Sequence, residues 1–116
     1  MATHTLQNYL RMYRKRSGLT QEDVAYLLGS RDGGKICRYE RLTREPTLEA
    51  ALGYEAIFNV PVRELFAGVF AEVEKRVIRR IGHLGRKLQT QRQTRMSARK
   101  LESLAVALKA SRGRHE

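Results

Sequence analysis

The sequence predicts an all-α protein, on three observations. Leu, Ala, Glu, Arg and Lys are abundant, while Gly and Pro are sparse inside most of the apolar pattern, a composition that favours helices. Apolar residues recur at spacings of three and four, which places them on one face of an α-helix. No stretch alternates apolar and polar residues as a half-buried strand does. The 116 residues are close to one average domain, and an apolar fraction of 41% is sufficient for a folded core.

The first helix is predicted over residues 6–16, with Leu6, Leu10 and Tyr13 on one face and Tyr9 close by, and Ser17 and Gly18 stop it. Thr20 is an N-cap: it stands three positions before Asp23, in a relative of the capping box, and precedes the rhythm Val24, Ala25, Leu27 and Leu28, which Gly29 closes. So short a helix persists only when tertiary packing holds it. Ser30 to Gly34 is polar and glycine-rich and reads as a turn. A third helix begins at Gly33 or Gly34 and runs to about Arg41, with Ile36 and Tyr39 toward the core and Lys35 and Arg38 pointing elsewhere. Thr47 caps a fourth helix ending near Phe58, with Leu48, Ala51, Leu52 and Ala56 inward. Ala56 is preferred to Glu55 there because a buried carboxylate is costly. Pro61 suits the first turn of a fifth helix containing Val62, Leu65 and Phe66, with Gly68 as its terminator.

Beyond this point the pattern changes scale. Phe70, Val73, Val77, Ile81, Leu84 and Leu88 follow spacings of 3, 4, 4, 3 and 4, an amphipathic helix of about twenty residues. Gly82 and Gly85 weaken it locally. Residues 89–95 connect it to a last helix over 97–110, with Leu101, Leu104, Ala105 and Leu108 on one side. Neither stripe is regular enough for a coiled coil, and no internal repeat is present.

The charge is unevenly placed. Twenty-three Lys and Arg against 12 Asp and Glu give a net +11, yet residues 1–74 hold ten basic and ten acidic side chains. Residues 75–100 hold ten basic side chains, among them Lys75, Arg76, Arg79, Arg80, Arg86, Lys87, Arg92 and Arg95, and no acidic one. Such a block attracts polyanions, with binding that weakens as salt rises. Nucleic acid, an acidic membrane and a solubilising surface all fit it. No Phe, Tyr or Trp follows Phe70, so the segment lacks the stacking platform of single-stranded RNA readers.

Several function classes are disfavoured. No apolar run approaches 18 residues and the start lacks the apolar stretch of a secretory signal, so a cytoplasmic protein with no membrane partner is expected. One cysteine makes neither an internal disulfide nor a four-cysteine zinc site, and His4, His83 and His115 lack metal-ligand spacing. There is no phosphate-binding glycine motif, no metalloprotease spacing and no evident nucleophile–base set. No catalytic residue, metal or cofactor is expected. Cys37 reads as an ordinary small residue rather than a redox sensor.

Residues 20–40 suit two short helices joined by a turn, a scaffold that can push its second helix into the major groove. Val24, Ala25, Leu28 and Ile36 supply the inner face, and Gly33, Gly34, Lys35 and Arg38 are presented outward. Gln21 sits at the positive end of its helix, where amides can meet a phosphate. A plain packed hairpin with solvated Lys35 and Arg38 fits the same periodicity.

The literal residues add to this. The run Leu19-Thr20-Gln21-Glu22-Asp23-Val24-Ala25-Tyr26-Leu27-Leu28-Gly29, then Ile36-Cys37-Arg38-Tyr39-Glu40-Arg41, then Pro46-Thr47-Leu48-Glu49, resembles the phage-repressor-type helix-turn-helix family, the Xre-like (Cro-type) transcriptional regulators. The resemblance covers about residues 6–67. It implies a five-helix repressor-like DNA-binding domain over 1–67, usually dimeric, that regulates transcription from an operator with two half-sites on double-stranded DNA. It places Gln21 on the DNA backbone, Lys35 and Arg38 on the outward side of the recognition helix, and Arg14 with Glu40 as a pair tying the first helix to the end of the third. A guanidinium takes a carboxylate bidentately, which gives that pair its logic. The segment between Gly29 and Ile36 is one residue longer than the family's usual turn, and Gly33 and Gly34 stand where polar base-reading side chains are usual. Lys35 and Arg38, then Arg31, are therefore the candidates for base contact. Gly34 permits close approach to DNA, and Arg41 and Arg44 are the candidates for phosphate contact.

Residues 68–112 lie outside the resemblance, as a basic helical C-terminal extension for oligomerisation, phosphate contact or both. Its apolar faces need covering. Val73, Val77, Ile81, Leu84 and Leu88, with Leu101, Leu104 and Leu108, form a candidate homodimer interface; packing within one chain is the alternative. A protein-binding adaptor or antitoxin-like autoregulator, gripping a partner through these helices, is the alternative function.

Overall fold

The structure, a computed structural model, describes residues 8–115. Among them are seven helices and no strand: α1 Leu10–Arg16, α2 Gln21–Leu27, α3 Gly33–Arg41, α4 Leu48–Phe58, α5 Val62–Leu65, α6 Ala67–Thr90 and α7 Arg95–Arg114. The chain divides into two compact units after Phe70.

In the first unit local chemistry sets most boundaries. The Asn8 side chain accepts from the Leu10 amide, and α1 starts at Leu10, with Asn8 and Tyr9 outside the helix expected to include them; Leu6 lies outside the described residues. Thr20 and Asp23 form a reciprocal capping box at α2. Thr47 accepts from the Ala50 amide to open α4. Gly29 takes φ +79° after α2, and the Ser30 amide reaches back to the Ala25 carbonyl, which turns the chain toward α3.

The core consists of Leu10, Val24, Ala25, Ile36, Tyr39, Tyr54, Leu65 and Phe66, with Tyr13, Leu28, Ile57, Phe58 and Val69 among those packed on it. α2 packs mainly on α3, α4 on α5 and α1 on α4. Rings carry much of the interior: Tyr54 stacks on Phe58 at 6.0 Å and meets Tyr39 and Phe66 edge-on at 6.4 Å. Leu28 lies against Gly53 of α4, where a Cβ would come within 2.5 Å of its methyl group.

Two expectations are corrected here. α4 turns Tyr54 inward, leaving Leu48 and Leu52 76% and 53% exposed and Ala56 exposed as well. Residues 48, 52 and 56 compete with 50, 54, 57 and 58 for the inside, and the stripe with the large rings buries more apolar area. Glu55 is also outside, where its carboxylate accepts from the Val62 amide at the start of α5. Gly68 does not end α5: that helix stops at Leu65, and Gly68 lies in the first turn of α6.

In the second unit α6 turns back at residues 91–94 into α7, forming a helical hairpin. α7 starts at Arg95, two residues before the expected position, because Thr94 and Ser97 cap one another reciprocally. At the open end Arg114 donates to Glu74 Oε2 at 2.6 and 2.9 Å, and His115 Nε2 lies 2.6 Å from Oε1. Among the described residues Leu88 is the one buried apolar side chain of this unit; Glu74, Ser97 and Ser111 are buried with it.

Two outcomes are expected. Gly29→Ala places a Cβ in a left-handed residue and lowers unfolding free energy by about 1 kcal/mol, read from urea denaturation. Hydrogen bonds from His115, then Arg114, hold the Glu74 carboxyl down at about 2 from its ordinary 4.5. A depressed folded pKa gives stability that is complete above the unfolded value and fades as pH falls toward 2. Between pH 4.5 and 2 the chain therefore loses helicity in circular dichroism, and Glu74→Gln lessens that loss, the remainder coming from other carboxylates held low, such as Asp23 and Asp32.

Candidate nucleic-acid interface

The α2–α3 segment is held in place by a polar clamp beneath it. Arg14 of α1 donates from Nε to Glu40 Oε2 at 2.6 Å and from Nη2 to Oε1 at 3.2 Å, a bidentate fork. Its Nη1 donates to the Leu19 carbonyl, the residue before the α2 cap. Gln21, the first residue of α2, donates to Glu40 Oε1 at 3.3 Å. Asn8 donates to the Tyr39 and Glu40 carbonyls at the end of α3. The side chains of Arg14 and Glu40 are only 11% and 3% exposed. The hydrogen bond to Glu40, with its charge, outweighs burial and raises the Arg14 pKa further above its already high value.

With Ile36 and Tyr39 turned inward, α3 shows solvent the opposite side. Gly34, Arg38 and Arg41 are exposed there, Cys37 is half-buried, and Arg31 and Arg44 are exposed just before and after the helix. Lys35 sits on the flank: it is half-buried, with Nζ 5.9 Å from the Tyr39 ring centroid. It also lines a shallow groove with Thr47 and Glu49 at the start of α4. Gln21 is half-buried, one amide hydrogen already committed to Glu40.

Asp32 is a participant that pattern reading passed over. Its Oδ1 accepts from the Gly34 amide, so it is the N-cap of α3, and its Oδ2 accepts from Arg38 Nη2 at 3.0 Å. Desolvation opposes its ionisation, but the bonds from Arg38 and from the Lys35 and Gly34 amides prevail and lower its pKa. Gly34 leaves room for this pair: a Cβ there would stand 3.0 Å from Asp32 Oδ1 and 3.4 Å from Arg38 Nη1. The turn between α2 and α3 thus ends on a capping carboxylate. An Asp two residues before a Gly-Lys helix start was the available signal. Glu22 of α2 reaches the same end, where a Cβ on Gly33 would come within 2.7 Å of its carboxylate oxygen.

No family model, curated protein or solved structure matches this chain.

In the second unit, Leu88 is buried, Ile81, Leu101, Leu104 and Leu108 are half-buried, and Val73, Val77 and Leu84 are exposed. Of the expected interface, these last three are the most open to another molecule. No group of three potential metal ligands occurs among the described residues. His115 is engaged by Glu74, His83 is exposed and His4 lies outside the described residues. No described helix is long and apolar enough to cross a membrane.

Removing one half of the clamp strands the other. Glu40→Ala is expected to cost about 3 kcal/mol, whereas the double change Arg14→Met with Glu40→Met costs less than the single one, both read by urea unfolding.

Proposed function

We propose that the chain is a sequence-specific, double-stranded DNA-binding transcriptional regulator that sets α3 into the major groove. The observation that carries this reading is the exposed arc Gly34–Arg38–Arg41 on a helix whose other side is locked into the core by Ile36 and Tyr39. A rigid helix with a cationic outer face and a glycine near its start meets the steric and electrostatic needs of groove entry. The resemblance of residues 6–67 to the phage-repressor-type regulators supports the same reading.

Within it, Arg38 exchanges Asp32 for a guanine edge, and Lys35 reaches from the flank to an adjacent base or phosphate. Arg31, Arg41 and Arg44 contact phosphates, and the free amide hydrogen of Gln21 meets the backbone beside the α2 N-terminus. Gly34 lets the α3 backbone approach the base edges. The active form is a homodimer on two half-sites, with Val73, Val77 and Leu84 as the apolar row available for pairing. A hairpin with one buried apolar side chain has little core of its own, which supports a second chain covering it. The same row also supports the adaptor or antitoxin-like reading, in which an unrelated protein covers it. Co-purification of such a protein, in place of self-association in sedimentation, would decide for the adaptor.

Selection from a random duplex pool is expected to return a two-fold symmetric motif. Lys35→Ala with Arg38→Ala weakens binding to that motif by about a hundredfold in fluorescence anisotropy, far more than binding to unrelated duplex. Equal affinity of wild type and double variant for every duplex would overturn the reading.

A further inference from the structure

The hairpin unit carries a second concentration of charge, separate from α3 in sequence. Successive residues of α6 are rotated by about 100°, which puts Lys75, Arg76, Arg79, Arg80, Arg86 and Lys87 within one arc of about 140°. Glu74, Ile78, Gly85 and Leu88, buried or half-buried, lie outside this arc, and so do the exposed Val73, Val77 and Leu84. All six cations are exposed, and none makes an ion pair among the described residues. Glu72 stands one turn before Lys75 and Arg76 and pairs with neither. Like charges three and four residues apart repel one another, so this face destabilises the free helix and is relieved when anions gather on it.

The spacing and chemistry of the face select among anions. From residue 75 to 87 the row is about 18 Å long, the axial span of about five phosphates on one strand of a duplex. Four of the six are arginines, whose forked donors suit phosphate oxygens. The unit contains no Phe, Tyr or Trp, and the one ring within the arc is the exposed imidazole of His83, so contact along this face is with the backbone far more than with the bases. An interfacial membrane helix needs a broad apolar face, usually with large or aromatic side chains. Here the exposed apolar row of α6 is Val73, Val77 and Leu84, a narrow strip.

We infer that this face of α6 is a sequence-independent docking surface for the phosphodiester backbone of duplex nucleic acid. It stands without the α3 reading and is tested apart from it. The full chain is titrated against a random-sequence duplex at several salt concentrations by fluorescence anisotropy. Six phosphate contacts make affinity fall about a thousandfold between 50 and 200 mM salt. In the quadruple variant Arg76→Gln, Arg79→Gln, Arg80→Gln and Lys87→Gln the fall is about a hundredfold smaller, and the log–log slope loses about 3 to 4. Arg76→Lys with Arg79→Lys and Arg80→Lys keeps most of the slope, as charge rather than shape requires. All these side chains are exposed, and unchanged helicity in circular dichroism shows that folding is intact. Lys35→Ala with Arg38→Ala changes the random-duplex slope by no more than about 2, so failure of the α3 reading has a different signature. A quadruple variant within one slope unit of wild type would overturn the inference. So would tighter binding, at equal salt, to vesicles containing phosphatidylserine than to duplex.

Discussion

The buried carboxylate of Glu40 organises the first unit. It is the common acceptor for Arg14 of α1 and Gln21 of α2, and it belongs to α3, so three helices converge on two oxygen atoms. A charge this enclosed is tolerable only when most of its lone pairs find donors, and the fork from Arg14 with the amide of Gln21 supplies three. Its cost is a demand for register: a small slide of α3 along α2 would open the clamp. The apolar contacts of Ile36 and Tyr39 are far more forgiving of position. Adhesion therefore comes from the aromatic core around Tyr54, and alignment of the outer face of α3 from the ion pair.

The second unit is built differently. Its helices are long enough to be regular but bury almost nothing apolar, and its ends are fastened by polar groups: Thr94 with Ser97 at the turn, Glu74 with Arg114 and His115 at the opening. α6 consequently has three distinct sides, one partly buried, one narrow and apolar, one cationic. Where the first unit spends its polar residues on internal order, the second leaves most of its charge unanswered by its own chain.

Much of the first unit was legible because caps and turns are local. Thr20, Thr47 and Gly29 act through neighbours within five residues, and α2, the turn after it and the start of α4 follow from them. What required the fold was choice between equivalent faces. α4 has two apolar stripes, and nothing short of packing says that Tyr54 goes inside and Leu52 outside. In α6 the stripe through Val73, Val77 and Leu84 overlaps the buried one through Ile78 and Gly85, since Ile81 and Leu88 border both; periodicity has too little angular resolution to separate them. Gly82 and Gly85, which read as weak points in a helix, lie on its partly buried side. At the candidate site the outward position of Arg38 was visible from spacing, whereas Arg41 joins the same exposed arc as the last residue of α3. The flank position of Lys35 was not, because its ammonium is drawn to a ring whose place is fixed by tertiary contacts. Asp32 was missed because its partner lies six residues on, beyond the interval at which helical neighbours are normally sought.

The pairing of Asp32 with Arg38 bears on how quickly the outer face of α3 responds to whatever approaches it. A long guanidinium chain in water samples many rotamers, and immobilising it at contact takes back part of the energy released. Here the chain is already steadied above a glycine, by an exposed acceptor that competes with water and gives way readily to a better-matched group. The acid works like a holster: it keeps the arginine drawn to one side, ordered and partly neutralised, so that diffuse anions gain little from it while a rigid, correctly spaced pair of acceptors finds it ready.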